Sequence, residues 1–109
     1  MIASDRAILI VDDEEGIRTG LDKFFRREGY EAFTAATAEE AIALAEKSYF
    51  AAAVLDVRLG GGDQGVELLA ELRSRDPDLS VVMVTGYGSV ESAVRAMKEG
   101  ASDYILKPI

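Results

Sequence analysis

Ile8-Leu9-Ile10-Val11 places four apolar residues in succession, three of them β-branched, and Asp12-Asp13-Glu14 follows without a break. A strand with one face in water alternates apolar and polar residues. An unbroken apolar run reads instead as a strand buried on both faces, as in a parallel sheet covered by helices. The three carboxylates that follow repel one another and resist desolvation. This stretch alone leaves two readings open. In one, a cation offsets the repulsion, and a hard divalent ion such as Mg²⁺ suits because it takes a few carboxylate oxygens and keeps several waters. In the other, the acids belong to a solvated loop and favour the N-terminus of the next helix.

At 109 residues the chain is long enough for one domain with a single core. Twelve basic against twenty acidic residues leave a net charge of −8, which argues against nonspecific binding to nucleic acid or to anionic membranes. Cysteine and histidine are both absent. That removes disulfides, thiolate chemistry, imidazole metal ligands and the Ser-His-Asp and Cys-His mechanisms. No apolar run reaches the length of a membrane span, and the N-terminus lacks the shape of a signal peptide. A cytoplasmic location is the expectation.

Along the chain, strand and helix patterns alternate. Glu15 to Glu28 carries Ile17, Leu21, Phe24 and Phe25 at helical spacing, with Gly29 as a stop. Glu31 to Ala35 is a short strand expected near a sheet edge. Thr37-Ala38-Glu39-Glu40 is a capping box that opens a helix running through Lys47, with Ala41, Ile42, Leu44 and Ala45 on one face. Ala51 to Val57 is a second apolar strand, interrupted only by Asp56. Arg58 to Gly65 reads as a glycine-rich loop, and Val66 to Arg75 as a helix offering Val66, Leu68, Leu69 and Leu72 to the core. Asp76-Pro77-Asp78 is a turn. Leu79 to Val84 is a third apolar strand ending at Thr85. Ser89 caps a helix over 90–99 with Val90, Ala93, Val94 and Met97 inward, and Gly100 stops it. Ser102 to Leu106 is the last strand, followed by Lys107-Pro108. This alternation predicts an α/β fold, a doubly wound parallel sheet with right-handed crossovers. Five strands favour the flavodoxin-like order 2-1-3-4-5, whose ligand site lies beyond the carboxyl ends of the strands.

The polar residues that interrupt the apolar pattern all fall at those ends. Asp12 and Asp13 end the first strand, Asp56 the third, Thr85 the fourth and Lys107 the fifth. Three carboxylates, a hydroxyl and an ammonium on one rim suit phosphoryl transfer to a carboxylate. An aspartate is already ionised at neutral pH, so it needs no general base to act as the nucleophile. A metal, the lysine and the hydroxyl would offset charge on the transferred group. Taken singly, each residue has a plainer explanation. Asp56 is then a polar strand end, Thr85 a good strand former, Lys107 a surface lysine and Tyr104 an edge-of-core aromatic. Gly60-Gly61-Gly62 lacks the order of a phosphate-binding loop.

Taken together, these stretches resemble the receiver domain of two-component response regulators. The resemblance is carried by Ile8 to Glu14, by Leu55-Asp56-Val57-Arg58-Leu59, by Val82-Met83-Val84-Thr85-Gly86 and by Gly100 to Pro108. Gly86-Tyr87-Gly88-Ser89-Val90-Glu91-Ser92-Ala93-Val94 looks like the receivers of enhancer-binding transcriptional activators. The resemblance implies that Asp56 takes a phosphoryl group from a sensor histidine kinase or a phosphotransfer protein. Mg²⁺ would be held by Asp13, Asp56 and the backbone carbonyl of Arg58, with Asp12 assisting through water. Lys107 would pair with the phosphate and Thr85 would swing in to bond it. Tyr104 would change rotamer with Thr85, altering the face formed by the fourth helix and fifth strand. Arg58 and Tyr87, each two residues beyond a site residue, would tune hydrolysis of the acyl phosphate.

The chain departs from the family pattern twice. Gly60 stands where receivers usually carry proline, and the segment 61–65 is one residue longer, so a more flexible loop is expected. The chain also stops at Ile109, before the helix that usually follows. Uncovering four or five apolar side chains at about 1.5–3 kcal/mol each would rival the whole stability of a small domain. The expectation is a receiver domain over 1–109 that either self-associates or is rearranged at this end. Two other functions compete. A Mg²⁺-dependent phosphatase of the haloacid-dehalogenase type needs a second aspartate two residues after the nucleophile as general acid, where Arg58 stands and cannot release a proton. A pure interaction module would not need Asp13, Asp56, Thr85 and Lys107 together.

Overall fold

The structure is a computed structural model and describes residues 2–3, 6–61, 64–86 and 90–106. Five strands form one sheet: β1 (Ala7–Val11), β2 (Glu31–Ala35), β3 (Ala52–Asp56), β4 (Ser80–Thr85) and β5 (Asp103–Leu106). Every neighbouring pair is parallel and the order is β2-β1-β3-β4-β5, as the alternation predicts. All five residues of β1 are buried, which explains its unbroken apolar run. In β2, at the sheet edge, Ala32 and Ala35 are buried while Glu31 and Thr34 face water. A separate parallel pair joins Ile2–Ala3 to Ser48–Tyr49.

Four helices connect the strands: α1 (Glu15–Arg27), α2 (Ala38–Lys47), α3 (Gln64–Arg75) and α4 (Val90–Lys98). The capping box is present at α2. The Thr37 hydroxyl accepts the Glu40 N–H at 3.1 Å, while the Glu40 carboxylate reaches back to the Ala36 N–H at 3.3 Å. Val66, Leu68, Leu69 and Leu72 of α3 are buried, the face its spacing predicts. Gly29 and Gly100 take positive φ at the ends of α1 and α4 and stop both helices.

The two faces of the sheet are covered unequally. Leu9, Val11, Leu55, Val81 and Met83 belong to the main core, which α3 completes with Leu69 and Leu72. On the opposite face Ile8, Ile10 and Ala32 form a smaller cluster, packed among the described hydrophobic residues against Leu21 and Phe25 of α1 and against Ala52. Beside this second cluster lies an open apolar groove of about 550 Å³, lined among others by Ile17, Phe24, Val82, Val84 and Ile105. No residue of α1 is fully buried, and Phe24 is 52% exposed.

The face of α4 differs from expectation. Val94 and Met97 are 44% and 49% exposed, whereas Ala96 is fully buried. The helix turns its small residue to the core, which permits a close approach, and leaves the larger Val94 and Met97 exposed. The side chains of Val90 and Ala93 lie outside the described residues. The segment read as a loop from Arg58 to Gly65 also holds more structure than expected. Leu59–Gly61 forms a short 3₁₀ turn and α3 begins at Gln64. Among the described residues no helix is long and apolar enough to cross a membrane.

Candidate functional site

The carboxyl ends of β1 and β3 are neighbours in the sheet, with Val11 paired to Leu55. The next residue on each strand path is an aspartate, so Asp12 and Asp56 arrive side by side. Asp13 follows in the bend before α1. The nearest carboxylate oxygens of Asp12, Asp13 and Asp56 all lie within 4.8 Å of one another. Asp12 and Asp56 are only 3% and 4% exposed, while Asp13 is exposed at the mouth.

Main-chain amides hold all three. Glu14 N–H donates to Asp12 Oδ1 at 2.9 Å and Arg58 N–H donates to Asp56 Oδ1 at 3.1 Å. These are local turns, built because Asp bonds the backbone two residues on. Gly60 N–H donates to Asp13 Oδ2 at 3.2 Å, linking segments 47 residues apart. Arg18, one turn into α1, donates from Nη1 to the Asp12 carbonyl oxygen at 2.8 Å and clamps the turn that carries both acids. Arg18 and the Gly60 amide are site contacts that the residue pattern does not reveal. Arg18 bonds a main-chain carbonyl and Gly60 offers a main-chain N–H, and neither leaves a pattern of residue types.

Thr85 ends β4 and is fully buried. Met83 pairs with Tyr104 and Thr85 with Leu106, so Thr85 and Tyr104 are diagonal neighbours on one side of the sheet. Tyr104 packs against the main core, and its hydroxyl is buried with no hydrogen-bond partner among the described residues. A buried hydroxyl without a partner is costly. Lys107 and Tyr87 lie outside the described residues. Arg58 is exposed, with its amide on Asp56.

The sequence model of the response regulator receiver domain matches residues 8–109. The chain belongs to the receiver domain family. Among curated relatives, this receiver domain is 38% identical to the photosynthetic apparatus regulatory protein RegA of Rhodobacter capsulatus over 98% of the chain and 58% of RegA. It is 43% identical to the alginate biosynthesis transcriptional regulatory protein AlgB of Pseudomonas aeruginosa over 93% of the chain and 22% of AlgB. The chain therefore spans little more than half of one relative and under a quarter of the other. Among solved structures, a response regulator of Burkholderia pseudomallei with a phosphorylated aspartic acid, a calcium ion and citrate superposes with a TM-score of 0.90 at 35% identity, covering 95% of this chain and 61% of that one. The beryllofluoride-activated NtrC4 receiver domain dimer gives 0.88 at 39% identity, covering 95% and 85%.

The donor set of the receiver pocket fits a hard divalent cation. Carboxylate oxygens at this spacing are the ligands Mg²⁺ and Ca²⁺ prefer, and soft donors are absent from the sequence apart from methionine.

Proposed function

We propose that this receiver domain is a phosphorylation switch in which Asp56 takes a phosphoryl group from a sensor histidine kinase or a phosphotransfer protein in the cytoplasm. The observation that carries the proposal is the convergence of Asp12, Asp13 and Asp56 within 4.8 Å at the carboxyl end of the sheet. An Asp56 carboxylate oxygen attacks phosphorus, the phosphorus–nitrogen bond of the donor phosphohistidine breaks, and its electron pair stays on the imidazole nitrogen. The product is an acyl phosphate. Mg²⁺ would be held by Asp13, Asp56 and the Arg58 carbonyl, with Asp12 assisting through water, and when bound it supplies positive charge to the phosphoryl oxygens. The Arg58 amide keeps the acceptor carboxylate oriented. Lys107 and the Thr85 hydroxyl are the donors to the transferred group.

Thr85 moving toward the phosphoryl group would vacate space beside Tyr104. Tyr104 then settles differently and alters the surface of α4 and β5, a two-state element biased by one new charge cluster. The domain is a switch and not a turnover enzyme, because Arg58 occupies the place where an aspartyl phosphatase needs its acid. By likeness to the NtrC4 receiver dimer, the 109-residue chain is proposed to pair with a second copy, and the apolar groove that lies open beside α1 in this chain is the surface proposed for that contact.

Intact mass after incubation with a small phosphodonor tests the reading. Wild type gains one phosphoryl unit with Mg²⁺ and none with a chelator, and Asp56→Asn gains none in either case. A wild-type mass that never changes, or steady release of phosphate from a phosphomonoester, defeats it.

A further inference from the structure

The three carboxylates are held by amides of two kinds. Asp12 and Asp56 are fixed by residues two positions on and by burial. Asp13 is exposed, so packing does not fix it, and its donor among the described residues lies on a different loop. That donor is the main-chain N–H of Gly60, which has φ 70° and ψ 12° within the Leu59–Gly61 turn. Only glycine takes this left-handed conformation freely, and asparagine is the side-chain-bearing residue that tolerates it best. Proline is excluded twice, by its fixed negative φ and by its missing N–H.

Resting on the metal-pocket reading above, we propose that the Gly60 amide is a positioning group for the cation: its hydrogen bond to Asp13 Oδ2 holds that carboxylate at the pocket and couples the turn before α3 to metal affinity. Two effects oppose each other. An amide on one carboxylate oxygen draws some electron density from the other, which weakens a ligand. Against that, an exposed aspartate beside two like charges within 4.8 Å is driven to rotate into solvent unless something holds it. A carboxylate offers two oxygens and about four lone-pair sites, so one amide leaves ample capacity for a metal. Holding the carboxylate in place outweighs the small loss of donor strength, as it does for hydrogen bonds behind metal ligands generally.

Calorimetric Mg²⁺ titration of the 109-residue chain tests this with Gly60→Pro and Gly60→Asn. Gly60→Pro is expected to weaken Mg²⁺ binding about tenfold, the lower end of what losing such a partner costs. Gly60→Asn keeps the amide and the backbone conformation. The three described atoms nearest its Cβ would all belong to the Gln64 side chain, with Nε2 at 3.0 Å and Cδ at 3.2 Å, and that flexible end can shift. This variant is expected to bind as wild type does. Independently, the Gly60 amide proton in Mg²⁺-free wild type should resonate downfield and move upfield in Asp13→Ala, a readout that needs no proline variant to fold. Equal Mg²⁺ affinity in wild type and Gly60→Pro, or a Gly60 resonance indifferent to Asp13→Ala, overturns the role of Gly60 alone. A wild type that binds no Mg²⁺ overturns the pocket reading and this role with it.

Discussion

At the scale of single residues, Arg58 has two separable parts. Its amide orients Asp56, while its side chain is exposed. Replacing the side chain leaves the amide in place, so the acceptor keeps its orientation and only access to the acyl phosphate changes. Hydrolysis needs a water in line with the phosphorus–oxygen bond, and a bulky side chain near that path excludes it. Arg58→Asn combined with Tyr87→Ala is therefore expected to lose the phosphoryl group severalfold faster than wild type. A time course of intact mass after removal of the donor measures this, and an unchanged lifetime removes both side chains from the role. The carboxylates themselves were legible in the sequence because each ends a run too apolar to tolerate a charge without purpose. Arg18 was not legible, because it acts on the Asp12 carbonyl six residues back and no residue-type pattern encodes a main-chain target.

Between elements, the tightest approach at any described glycine is at Gly65. A Cβ there would collide with the Asp56 carbonyl oxygen and lie 2.7 Å from both Cα and O of Val57. These are backbone atoms of the last residue of β3 and of the residue after it, which cannot rotate away as a side chain can. The first turn of α3 thus presses directly on the strand end that carries the acceptor, an approach completed by the Gly65 N–H to the Val57 carbonyl at 3.2 Å. Gly65→Ala is expected to cost about 3 kcal/mol, the upper end of overpacking penalties. Thr37→Ala, which removes the cap of α2, should cost about 1 kcal/mol. Urea unfolding midpoints rank the two, and a Gly65→Ala protein as stable as Thr37→Ala would show that α3 is free to shift. The cap was visible in four consecutive residues. The Gly65 contact was not, because it depends on how a helix docks against a strand, and sequence spacing reports only which face of a helix is apolar. The same blindness explains α4, where spacing favoured Val94 and Met97 but docking selected Ala96.

For the whole molecule, the order of the strands followed from their alternation with helices together with their number, since short connections and right-handed crossovers leave few arrangements and five strands favour one of the two common doubly wound orders. What covers each face did not follow, because an apolar stripe states that it needs a partner without stating which. The groove beside α1 shows the consequence. Phe24 and Ile105 are 52% and 40% exposed on an apolar wall that three strands and one helix share. A patch of this kind favours self-association, while a charge of −8 on each copy opposes it. Apolar burial is short-ranged and insensitive to screening, whereas the repulsion fades beyond a Debye length of roughly 8–10 Å at ordinary salt. Association of the 109-residue chain should therefore strengthen as sodium chloride rises, the reverse of a contact built on ion pairs. Phe24→Glu removes apolar area worth about 1.5 kcal/mol or more and adds a charge to each side. The dimer dissociation constant should rise at least about tenfold, since roughly 1.4 kcal/mol corresponds to that factor. Sedimentation equilibrium at two salt concentrations measures both effects. A monomer at every concentration and salt, or a dimer unmoved by Phe24→Glu, would show that the groove is not where copies meet.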